Sequence, residues 1–364
     1  MKPSSSPALP RNLALAWSAL ICYACLHPFS GWYSSGLPAL DYLLAPWPKY
    51  FILNDLLFNI AGYLPFGLLV ASSLVHRHSR ARSVLLTALL ATLLSFSLET
   101  LQNFLPSRVA SNLDIAGNLI GASLGALLGA GWGKAWFGRG GLVRRWRENC
   151  FIRGRSGDAG LILLGLWLLA QLSVHDLLFS SGDLRRLLGI AAPLPFSAER
   201  FIAFDSALTA SAMLGVGLLA RCMIRTPNPA PLLILLALGV AAKALSSTVF
   251  FASGSALTWL TPGASRGLLI GTPLLLLGLL LPRLIQHALA GTALLTATAL
   301  VNIMPDNPYL PYHQQLNQIS NILNFHGLTE LVDSLWPFAA LAYLSALGLW
   351  RGEHLSARRR GESL

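Results

Sequence analysis

Apolar stretches of about 20 residues recur along the chain, each closed by a polar, basic or proline-bearing turn, and that length crosses about 30 Å of hydrocarbon as a helix. The pattern predicts helices near 12–30, 52–75, 83–105, 113–133, 159–180, 201–220, 231–251, 267–281, 284–304 and 335–350. The eighth and tenth are short, which fits tilted helices or a thinner part of the bundle. The expected fold is all-α, a polytopic transmembrane bundle of about ten helices. The first run starts just after Arg11, where a secretory signal would lie. No small-x-small cleavage pattern precedes the next polar turn, and Trp17, Tyr23 and Trp32 suit a retained helix.

An internal match at an ungapped offset of 150 refines this picture. Trp17 matches Trp167, Phe29-Ser30 matches Phe179-Ser180, Asp55 matches Asp205, and Gly117 and Gly121 match Gly267 and Gly271. Paired Trp, Asp and Gly are rarer coincidences than paired Leu; chance alignment of two apolar stretches is the alternative. Four crossings return the chain to its starting side, so two such units would be parallel tandem repeats. The organisation expected is a four-helix unit over 1–134, a basic loop over 135–158, a degenerate second unit over 159–283, and two further helices over 284–364 with an amphipathic loop near 305–334 and a basic tail.

Composition and charge agree. The chain is 54% hydrophobic and 11% charged, with a mean hydropathy of +0.59, against about 25% charged residues in soluble domains. The net charge of +11 is topological and gives no reason to expect nucleic acid. When loops are assigned alternately, one side holds about threefold more Lys and Arg, and the positive-inside rule makes that side cytoplasmic. Both termini are then cytoplasmic. Cys22 and Cys25 form a C-x-x-C inside the first helix, with no second pair or His cluster, so they read as small apolar residues; no metal and no cofactor is expected.

Polar groups inside spans cost about 2.5–3.5 kcal/mol near the bilayer centre and mark function by default. Asp55 and Asn59 share a face of the second helix. Glu99 and Gln102 share one near the end of the third. Pro106 ends that helix and presents Arg108, and Asp114 and Asn118 follow one turn apart in the fourth. Alternating topology puts all of these at the extracytoplasmic ends, so they form a candidate outer-leaflet pocket. Glu99 and Asp114 are its candidate catalytic groups, and Arg108 is expected to pair directly with one of them. The offset of 150 turns Glu99, Gln102, Arg108, Asp114 and Asn118 into Val249, Ala252, Thr258, Ala264 and Leu268, so the site is expected in the first unit alone. Gly117, Gly121, Gly125, Gly129 and Gly133 recur every four residues and predict close helix packing. In the second unit Lys243 and Asp205 are a candidate structural ion pair, and His175 and Asp176 read as an interfacial exit.

The order D-x3-N (Asp55, Asn59), L-P-F-G, E-x2-Q (Glu99, Gln102), Arg108, then D-x3-N-x2-G-x3-G from Asp114 to Gly125 resembles the VanZ-like family over roughly residues 20–133. The resemblance implies a bacterial inner-membrane protein. The family is named for a member linked to low-level resistance to the lipoglycopeptide teicoplanin, and the resemblance supplies no reaction. The short founding type lacks the six further helices present here. Three functions stay open: binding of a membrane lipid or lipid-linked envelope ligand, a membrane hydrolase or transferase using the carboxylates, and a transporter. No Ser or Cys nucleophile beside a His, no H-E-x-x-H and no phosphate-binding loop is present. The oligomeric state is not written in the sequence.

Overall fold

A computed structural model of the chain describes residues 8–27, 29–34, 36, 38–46, 53–106, 108–152, 154–173, 176–250, 256–307 and 322–360, without the side chains of 8, 54–55, 249–250, 322–327 and 349–360. The regular structure among these residues is helical, with no strand among them. Nine of the described helices are long and apolar enough to cross a membrane. The chain divides into two compact units, Met1–Glu148 and Asn149–Leu364.

The first unit contains α1 (Ala8–Leu26), the short α2 (Asp41–Leu44), α3 (Leu53–Leu74), α4 (Arg80–Gln102) and α5 (Asn112–Phe137). Helix starts follow local chemistry. The Ser79 hydroxyl accepts from the Arg82 amide to cap α4, and Ser111 accepts from Leu113 to cap α5. Helices α3 and α5 lie closest because the α5 glycines face α3. A methyl on Gly121, Gly125 or Gly129 would collide with the carbonyls of Ile60, Leu64 and Leu68, and one on Gly133 would meet Ser72. The steps of four on both helices run the same way, so α3 and α5 are parallel. Helix α1 joins them through its Trp17 indole, which donates to the Gly62 carbonyl at 2.8 Å. The region expected as a plain basic loop contains another helix, α6 (Leu142–Cys150), at the boundary of the two units.

The second unit contains α7 (Arg155–Ala170), the short α8 (Leu184–Leu188), α9 (Ala198–Met223), α10 (Ala230–Phe250), α11 (Pro262–Leu280), α12 (Arg283–Ile303) and α13 (Ile322–Arg360). Helix α9 is its axis, with Leu208, Leu218, Leu219 and Met223 fully buried. Trp336 of α13 donates its indole N–H to Leu163 O of α7 at 2.7 Å, and Ala290, Ala293 and Leu294 of α12 enter the same core. The eighth predicted span begins earlier than its apolar run, because Thr261 caps α11 and Pro262 opens it. The last predicted span, 335–350, is part of the longer α13, whose apolar stretch covers Leu328–Gly348.

The fifth predicted span, 159–180, is corrected. Helix α7 has 16 residues, about 24 Å at 1.5 Å per residue. After its cap at Gln171 the chain tightens into turns, with Leu172 N donating to Leu169 O and Ser173 N to Ala170 O. Ile152 N donates to Met223 O at 2.9 Å beside the start of α7, which sets that start level with the end of α9. The described residues after Ala170, 171–173 and 176–183, are mostly buried and outside any α-helix. Their polar groups are met by side chains, as a low-dielectric interior requires. Gln171 accepts from Phe179 N at 2.9 Å, Lys243 donates to Ser173 O at 2.7 Å, Ser246 to Leu172 O at 2.7 Å, and Asn302 to Gly182 O at 2.6 Å.

Candidate functional site

The α4–α5 turn lies at one end of the first unit, under the chain that follows α1. Tyr33 N donates to Phe104 O at 3.0 Å, Tyr42 hydrogen-bonds Thr100 at 3.0 Å, and Asn112 donates to Ala45 O at 2.7 Å. Below this cover Glu99 is only 4% exposed. One carboxylate oxygen accepts the Ser111 amide at 2.9 Å, which ties the last turn of α4 to the cap of α5. Asp114 and Arg108 are its charged neighbours. Asp114, in the first turn of α5, accepts from the Asn59 amide at 2.7 Å and so fastens α5 to α3. Gln102 donates to Cys25 O at 2.9 Å, fastening α4 to α1.

Arg108 does not make the expected ion pair. Its Nη2 donates to Ala24 O at 2.6 Å and to His27 O at 3.3 Å, the free carbonyls at the C-terminal end of α1. The reason is positional: those carbonyls carry the negative end of the helix dipole and have no partner within α1. Burial pushes the guanidinium below its ordinary pKa, with Cys25 and Glu99 acting in the opposite sense. Its Nε is buried without a hydrogen-bond partner.

One turn deeper, Asn118, also 4% exposed, donates to the Ser95 hydroxyl at 2.9 Å. The Asn118 carbonyl oxygen and the Tyr63 hydroxyl are buried with no hydrogen-bond partner. Ser95 and Tyr63 were not singled out in the sequence, yet helical spacing marks both: Ser95 precedes Glu99 by four residues, and Tyr63 follows Asn59 by four. Asn59, Glu99, Gln102, Arg108, Asp114 and Asn118 are thus gathered at the α4–α5 end of one unit. The side chain of Asp55 lies outside the described residues. No group of three or more His, Cys, Asp or Glu among the described residues is placed to hold a metal ion.

Residues 13–132 match the VanZ/LLP1 family model. No curated protein and no solved structure matches the chain. The VanZ-like segment covers α1 to α5 nearly entire, so Glu99, Arg108, Asp114 and Asn118 all fall inside it, while the second unit lies beyond it.

Two expectations for the second unit are corrected. Lys243 and Asp205 do not pair. Lys243, 4% exposed, donates to Ser173 O and has Asp176 and Asp333 as its acidic neighbours, whereas Asp205 accepts from Thr261 and Thr209. Asp176 is no interfacial exit: it is buried and bonded to Arg186 at 2.8 Å. His175 and residues 308–321 of the expected amphipathic loop lie outside the described residues.

Proposed function

We propose that the chain is a VanZ-like membrane protein whose first unit binds the headgroup of a lipid-linked or amphiphilic envelope ligand in the outer leaflet, at the α4–α5 end. Most of the cluster is absorbed by interhelical fastening: Gln102 and Arg108 hold α1, and Asn59 holds Asp114. What supports a ligand is the remainder. Among the described residues the Glu99 carboxylate accepts a single hydrogen bond, and the buried Asn118 oxygen accepts none. These two are acceptors and favour a headgroup that carries donors, such as hydroxyls or an ammonium. The unmet Arg108 Nε and Tyr63 hydroxyl are donors, so hydroxyls, which donate and accept, fit the set better than a bare phosphate. A buried acceptor left unmet costs about 1–3 kcal/mol, and a donor on the ligand would recover part of that.

The test is native mass spectrometry with amphiphiles sharing one alkyl chain and carrying a glycoside, an ammonium, a phosphate or a methyl-capped head. Glycoside or ammonium adducts should survive on the wild type and fall about tenfold with Glu99→Gln at unchanged membrane yield, a change of about 1.4 kcal/mol. Equal retention of every head by both proteins would remove this reading. A hydrolase or transferase is the second reading, since Glu99 has Asp114 as a charged neighbour and two nearby carboxyls can divide acid and base roles; cleavage of the bound amphiphile in the same spectra would distinguish it. A link to glycopeptide resistance rests on the family resemblance alone.

The two units also support the tandem-duplication reading. Phe29 and Phe179 are the non-glycine residues with positive φ among the described ones, at 60° and 62°, and they are 150 positions apart. Gly121 faces Ile60 while Gly271 faces Ala210, and Gly117 faces Asn59 while Gly267 faces Thr209, each pair again offset by 150. Under this reading the second copy has lost the polar site and kept the parallel helix pair.

A further inference from the structure

Helices α11 and α12 both pack on α9 but scarcely touch each other, leaving a groove of about 590 Å³ with α9 as its floor. Its walls are apolar, including Ile270, Leu274 and Leu289, and the one charged residue among its described lining is Arg266. From Ile202 to Leu214 the floor runs about 18 Å at about 1.5 Å per residue. That is close to the depth of one leaflet, half of about 30 Å. Arg266 stands one turn into α11, in the Ile202 half of this run, since α9 and α11 are parallel, with Gly267 against Ser206 and Thr209 and Gly278 against Leu218. A helical side chain leans toward the N-terminus of its helix, here the Ile202 end. The Arg266 side chain is exposed, and no ion pair or hydrogen bond among the described residues holds it.

We infer that this groove is a binding site for one anionic phospholipid, with an acyl chain laid along α9 between α11 and α12 and the phosphate on Arg266. Three features fit one occupant. The groove is apolar along its length, it is about as long as one leaflet is deep, and the one cation among its described lining residues lies in the half nearer the end where a headgroup would emerge. Arginine forms paired hydrogen bonds with a phosphate, which a free cation at a membrane interface otherwise spends on water. Small residues on the floor, Ala203, Ala207 and Ala210, keep the groove open to a chain. The inference is independent of the first-unit site, which lies in a different unit and favours donor-bearing heads.

The full-length protein, purified in detergent and exchanged into nanodiscs of mixed phosphatidylglycerol and phosphatidylcholine with matched chains, provides the test. Native mass spectra should show one retained phosphatidylglycerol per chain. Arg266→Gln should lower the preference for phosphatidylglycerol about fivefold, while Arg266→Lys keeps most of it. Ala207 lines the groove and is exposed, so Ala207→Phe should fill the groove without disturbing the core and reduce retention of both lipids. An unchanged lipid preference in Arg266→Gln would overturn the assignment. So would lipid retention insensitive to Ala207→Phe, or displacement of the lipid by inorganic phosphate alone, which would mean that Arg266 binds an anion without the chain.

Discussion

Arg108 is the residue whose role changes most between chain and fold. An arginine between three carboxylates in sequence is expected to neutralise one of them, yet its guanidinium closes the end of α1 by donating to Ala24 O and His27 O. Charged hydrogen bonds of this kind contribute about 1.5–3 kcal/mol. Arg108→Ala should therefore lower the thermal midpoint of the detergent-solubilised protein clearly. Arg108→Lys should lie between, because one ammonium cannot reproduce the planar fork. The measurement is a melting curve for each variant beside its binding of the amphiphile series. A normal midpoint in Arg108→Ala would show that the α1 contact contributes little. Glu99 differs in kind, because its loss removes an acceptor with spare capacity and is expected in binding before stability.

At the scale of the element, the α3–α5 pair shows how a residue pattern becomes a distance. Glycines every four residues on α5 leave no side chain between the two backbones, so packing and dispersion contacts hold the helices where no hydrophobic effect operates between them. Gly121→Leu or Gly125→Leu should abolish correctly folded protein, because the new side chain meets the Ile60 or Leu64 carbonyl and not a movable group. Gly131 is in the same helix, and a methyl there would meet nothing within 4 Å. Gly131→Ala should be tolerated and gain up to about 1 kcal/mol of helix propensity. Yield of monodisperse protein from solubilised membranes checks both, and a Gly121→Leu protein that behaves as wild type would refute the packing role. The tail of the fifth predicted span differs from the structure for an element-level reason. Hydropathy counts Leu177, Leu178 and Phe179 as membrane residues, but burial does not require a helix where Gln171, Lys243, Ser246 and Asn302 satisfy the backbone.

For the whole molecule the open variable is orientation. The excess of Lys and Arg on alternate loops predicts cytoplasmic termini and an extracytoplasmic α4–α5 turn. A reporter active only outside the cytoplasm should be active when fused after Arg108 and silent when fused after Arg145. The opposite result would place the Glu99 site on the cytoplasmic side and remove an outer-leaflet ligand. The fusion after Arg145 interrupts α6, so its signal should be read together with one placed in the Arg77–Arg82 turn, which is predicted to be equally silent.

The sequence by itself determined the all-helical membrane class, the approximate positions of the spans, the glycine face of α5 and the polar residues that collect around Glu99. These are legible because span length, helical periodicity and the high cost of intramembrane polar groups act locally along the chain. It did not determine which acceptor Arg108 meets, nor that Lys243 turns to Ser173 O and not to Asp205, nor the buried non-helical chain after Ala170. Those outcomes depend on which distant carbonyl or side chain is within about 3 Å in a low-dielectric interior. Only the packing of α1, α10 and α12 against their neighbours decides that, and the groove beside Arg266 likewise exists only because α11 and α12 diverge on α9.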